Sequence, residues 1–126
     1  MPKPDEAQAA LEFRSMRKHM CPYDNEIEKI KNQIVNRYNP LDIILFGSCA
    51  RGRVAKSSDI DFCIIMETED KRSTVQDILL NVDYDVDLDI VIYSPEEWLK
   101  LKGNLSTLAG IINKTGVSLI GGQQRV

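Results

Sequence analysis

"GSCARGRVAKSSDIDFCII", residues 47–65, ends in a run that belongs inside a sheet, yet two aspartates stand at its mouth. Ile60, Phe62, Ile64 and Ile65 are apolar on both faces of the pleat, the pattern of a central strand covered on each side. Successive strand residues rise about 3.3 Å and point to opposite faces, so Asp59 and Asp61 project from one face roughly 6.6 Å apart at the backbone. Two carboxylates at that separation repel by roughly 0.6 kcal/mol in bulk water and by about 2.5 kcal/mol at an effective dielectric of about 20. Against a total stability of about 5–15 kcal/mol, charges leading into an apolar strand need a partner. The candidates are the cations of the intervening segment, Arg51, Arg53 and Lys56, or a divalent metal ion.

Upstream of this stretch, "LDIILF" (41–46) is a short apolar run ended by Gly47, the pattern of a buried strand. Gly47 and Ser48 therefore stand directly at a strand end, where a glycine lets backbone approach an anion and a serine supplies a hydroxyl; "CARG" beyond them suits a short helix start. G-S alone is uninformative, since any turn can contain it. G-S followed at fixed distance by D-x-D arises by chance on the order of once per thousand chains of this size.

Working outward, Ile27, Ile30, Ile34, Val35 and Tyr38 recur on one helical face, with Asp24 as the expected N-cap and Asn39-Pro40 as the stop. Before that helix, Ala9, Phe13, Met16 and Met20 mark a first amphipathic helix over residues 5–20, stopped by Pro22. Its stripe suits either the core or self-association with a second copy or a partner. Downstream, Val75, Ile78, Leu79 and Val82 mark a helix, and "VDLDIVIY" (86–93) alternates as a strand. Ser94, Pro95 and Glu97 form a capping box that opens a helix carrying Trp98 and Leu101; a last helix over 106–114 ends near Gly116, and "VSLI" (117–120) closes the chain as a short strand. The order α-α-β-(short α)-β-α-β-α-α-β predicts an α/β (α+β) domain at residues 23–126 with an N-terminal helical extension at 1–22.

Asp83, Asp85, Asp87 and Asp89 share one parity on the third strand. Asp83 and Asp85 precede the apolar run and are expected in solvent. Asp59, Asp61 and Asp89 lead into or lie within apolar strands, and three carboxylates without histidine or thiolate suit Mg²⁺ or Mn²⁺ better than zinc.

The 126-residue chain carries 43% apolar and 28% charged residues and a formal charge of −3, which fits one ordinary globular domain and argues against a protein coating long nucleic acid. It has no run long enough for a membrane span and no signal-peptide pattern at its start, so a cytoplasmic location is expected. Cys21, Cys49 and Cys63 have no C-x-x-C spacing and read as free thiols; with His19 they make a poor zinc set.

On these residues the chain resembles the minimal nucleotidyltransferase family of the DNA polymerase beta superfamily. The signature of that family, G-S, ten residues, then D-x-D, is met by Gly47, Ser48 and Asp59-Ile60-Asp61, and "GSCARG" and "SDID" also look like the family's wording. "VDLDIVIYSPEEW" is similar to the family stretch that holds the third carboxylate, which selects Asp89, with Asp87 as its rival on the same face. The resemblance covers roughly residues 24–120. It implies a small mixed sheet with helices packed on it, and transfer of a nucleoside monophosphate from a triphosphate, ATP by expectation, to a hydroxyl. It further implies Gly47, Ser48, Arg51 and Ser58 as nucleotide-binding residues, and Asp59, Asp61 and Asp89 as catalytic residues and ligands of Mg²⁺ or Mn²⁺. Small members of the family are often paired with a HEPN-domain protein as toxin and antitoxin, the partner's tyrosine being the acceptor. Two alternatives stay open: an antitoxin that only binds its partner, and a small-molecule nucleotidyltransferase resembling aminoglycoside-modifying enzymes, which usually need a second domain.

Overall fold

The computed structural model describes residues 23–50 and 59–120. The expected first helix, with His19 and Cys21 near it, lies outside the described residues, as do Arg51, Arg53, Lys56 and Ser58. Within the described residues, helix α1 (Asp24–Tyr38) leads to strand β1 (Asp42–Phe46), strand β2 (Ile60–Ile65), helix α2 (Lys71–Asn81), strand β3 (Leu88–Tyr93), helices α3 (Pro95–Leu101) and α4 (Leu108–Thr115), and the two-residue strand β4 (Val117–Ser118). The four strands form one mixed sheet in the order β3-β2-β1-β4, so β2 takes the central place its two-sided apolar run predicts. It runs antiparallel to β1 and parallel to β3.

The helix ends follow local chemistry. Asn39 closes α1 in the left-handed region (φ 48°) and its N–H donates to Val35 O, a conformation asparagine tolerates, before Pro40 ends any continuation. At the other end Tyr23, not Asp24, is the N-cap, and Asp24 lies in the first turn, where its charge still suits the helix dipole. Asp70 caps α2 by accepting from Ser73 N at 3.2 Å. The capping box of α3 is complete: Ser94 Oγ accepts from Glu97 N at 3.1 Å and Glu97 Oε1 from Ser94 N at 3.0 Å, with Pro95 opening the helix. Thr107 caps α4, two residues later than the apolar pattern suggested.

Alternation along the strands divides the apolar side chains between two faces. On one face Ile43, Leu45, Ile60, Phe62, Ile64, Leu88 and Ile92 pack with Ile27, Ile30 and Ile34 of α1 and Ile78 of α2. On the other, Ile44, Cys63 and Ile65 pack with Ile112 of α4, while Phe46, Val91, Tyr93 and Trp98 are only partly covered. Strand β3 begins at Leu88 and not at Val86, because the preceding aspartate-rich segment is engaged elsewhere: Asp85 pairs with Lys29 at 3.0 Å, and both Asp83 and Asp85 are exposed, as expected. No helix among the described residues is long and apolar enough to cross a membrane.

Candidate active site

At one end of the less covered face the register sets Phe46, Asp61 and Asp89 side by side on β1, β2 and β3. Asp61 is the one residue of β2 that is not buried, and Asp89 is exposed. Asp59 precedes β2 by one residue and shares the parity of Asp61, so the expected pair stands at the strand's mouth. Asp87 lies just before β3, exposed, with its carbonyl accepting from Ile60 N at 2.9 Å. The structure thus brings Asp89 opposite Asp61, and leaves Asp87 outside the row.

The carboxylates perturb one another. Partial burial, then the charges of Asp89 and Asp59, push Asp61 up to about 6, and a hydrogen bond to Asp89 adds to the effect. Burial and the two neighbouring carboxylates all favour the neutral form of Asp61, and a cation bound there would offset them. All donors are hard oxygens, which fits magnesium or manganese by chemistry. Among the described residues no three such groups already converge as a finished ligand cluster, and Asp61 and Asp89 are closed on each other.

Gly47 is the other half of the site. Its φ is +79°, and a Cβ built on it would collide with Asp61 Oδ2. The left-handed turn is what favours glycine here, and a Cβ would further require the Asp61 carboxylate to shift. Ser48 begins the turn Ser48–Ala50 and is partly buried. Cys49, read from the sequence only as a free thiol, is 3% exposed, and its Sγ donates to Asp59 O at 3.6 Å. It ties the turn after β1 to the residue before β2, across a segment outside the described residues. No sequence signal distinguished this anchor, because a buried cysteine looks the same in any core. Cys63 beneath the site is fully buried; burial, helped by the Asp42 charge, pushes its thiol up to about 12, so it is an inert core residue.

The nucleotidyltransferase domain family matches residues 27–105, a span containing the Gly47 turn and all three aspartates. The chain has no significant match among curated proteins or among solved structures. Its four described helices and four-stranded mixed sheet are the α+β fold of polymerase beta-like nucleotidyltransferase domains. A left-handed glycine turn against an acidic row, on that fold and under a family match covering more than half its length, makes this chain a member of the nucleotidyltransferase domain family, whose chemistry is nucleotidyl transfer from a nucleoside triphosphate.

Proposed function

We propose that the protein transfers a nucleoside monophosphate, AMP from ATP, to a hydroxyl on a partner protein, a tyrosine of a HEPN-type toxin, and so acts as an antitoxin. The observation that carries this reading is the contact of the Gly47 turn with Asp61 beside Asp89, which puts an anion-approaching backbone and an acidic row within one side chain of each other.

In this reading the N–H groups at Gly47 and Ser48 hold the triphosphate, with Arg51 and Ser58 contributing from the connecting segment. Asp59, Asp61 and Asp89 would hold Mg²⁺ or Mn²⁺, which would screen the negative charge gathered on the transferring phosphate. Asp89 takes the proton of the attacking hydroxyl. The hydroxyl oxygen bonds to the α-phosphorus as the bond to the leaving pyrophosphate breaks. Asp61 must be ionised for this, and a cation bound beside it would favour the ionised form.

The test is incubation with α-labelled ATP, magnesium and the product of the neighbouring gene. Label on a partner tyrosine is the expected result, lost in Asp61→Asn and Asp89→Asn. A partner neutralised equally well by both variants, and never labelled, would make the protein a pure binder.

A further inference from the structure

Besides covering the sheet, α1 grips the segment that feeds β3. Gln33 Nε2 donates to Asp83 O at 2.8 Å, and Asp83 N donates to Gln33 Oε1 at 2.8 Å. One primary amide thus pairs with a loop residue as a neighbouring strand would, its N–H and its C=O meeting the backbone C=O and N–H of Asp83. Nearer the start of α1, Glu26 Oε2 accepts from Asp85 N at 2.5 Å, with its side chain only 15% exposed. Lys29 joins them, 3.0 Å from Asp85 Oδ2 and 3.4 Å from Glu26 Oε1.

Two residues beyond Asp85, the carbonyl of Asp87 takes the N–H of Ile60, and the ladder that starts there sets Asp89 against Asp61. Among the described residues β3 is the edge of the sheet, with β2 as its one neighbouring strand. At the start of that ladder the register sets two acidic residues, Asp61 and Asp89, directly opposite each other. A restraint on the approach to β3 therefore has something to oppose.

We propose that Gln33 and Glu26 are positioning residues: by holding Asp83 and Asp85 they fix where β3 begins, and so keep Asp89 beside Asp61. The role of Asp89 in this rests on the nucleotidyl-transfer reading above; the hold on β3 does not.

The experiment uses the full chain with Gln33→Leu, Gln33→Glu, which keeps the acceptor and loses the donor, and Glu26→Gln as the mildest change. Amide hydrogen exchange of the metal-free protein compares Ile60 N–H, bonded to Asp87 O, with Met66 N–H, bonded to Tyr93 O at the other end of the same strand pair. Protection at Ile60 is expected to fall about tenfold or more relative to Met66 in both Gln33 variants, and less in Glu26→Gln. Binding of Mn²⁺ alone, followed by calorimetry, is expected to weaken about tenfold in the Gln33 variants, the usual scale for groups that orient metal ligands. Equal loss at Ile60 and Met66, or no loss at either, would overturn the inference, since general destabilisation lowers both. Selective loss at Ile60 with unchanged Mn²⁺ affinity would overturn it too, leaving a brace that positions no ligand. If the unaltered protein takes up no Mn²⁺, the transfer reading fails, and the exchange ratio alone decides whether the grip holds β3.

Discussion

Among the described residues, thirteen buried side chains form one apolar cluster on the sheet face covered by α1 and α2; on the opposite face four do, and the same strands there present Asp61, Asp89 and a partly covered border of Phe46, Val91, Tyr93 and Trp98. The backbone is shared, so the difference lies wholly in what alternate residues carry. The first face is built for stability, being close-packed and free of charge. The second trades burial for a row of carboxylates, and its like charges are retained at a cost to folding, as functional sites commonly are. One sheet separates the two demands because the pleat sends neighbours to opposite sides.

The largest test of this contrast is Phe62→Ala, at a fully buried position on the closed face. It should lower stability by about 3–5 kcal/mol in urea titration. A loss well below that range would mean the face is less tightly packed than its burial indicates. Gly47→Ala tests the seam between strand and site. A left-handed backbone and a collision with Asp61 should together cost about 2 kcal/mol or more, measured the same way. The double change Gly47→Ala with Asp61→Ala should restore only the collision's share.

Next in size, Asp61→Asn should stabilise the metal-free protein at neutral pH. Folded Asp61 keeps its proton up to about 6 and the unfolded residue to its ordinary 3.8, so the folded state binds more protons between those values. Stability of the metal-free protein therefore falls as pH rises through that window. Removing the charge should return roughly 1 kcal/mol at pH 7, after allowance for solvent screening of a partly exposed group, and should flatten the pH profile between about 4 and 6. An unchanged profile would show that the acidic row is not strained. The smallest effect is expected at Val91, partly covered on the open face. Val91→Ala should cost about 1 kcal/mol or less, and a loss approaching that of Phe62→Ala would erase the distinction between the faces.

Much of this was legible in the chain because it depends on neighbours along the sequence. The run "IDFCII" is apolar on both parities, so it had to be central, and β2 is. Ser94, Pro95 and Glu97 lie within one turn of each other, so their capping box forms as written. The stop at Asn39-Pro40 likewise needs only local backbone chemistry. Asp24 was the miss among the caps, since either of two adjacent residues can begin a helix and the pattern alone does not choose. The Cys49 anchor and the Gln33 pairing were invisible for another reason: their partners lie 10 and 50 residues away.

What the sequence by itself determined is the parity of the acidic residues: Asp59 and Asp61 share one face, and Asp87 and Asp89 share one face, whatever the strands do. It could not choose between the last two, because a slip of two residues preserves every face. Only the tertiary structure sets which of them lies opposite Asp61, by packing Leu88 and Ile92 into the core opposite Ile60 and Ile64. That burial sets the register of β3 on β2, and the register sets Asp89 against Asp61.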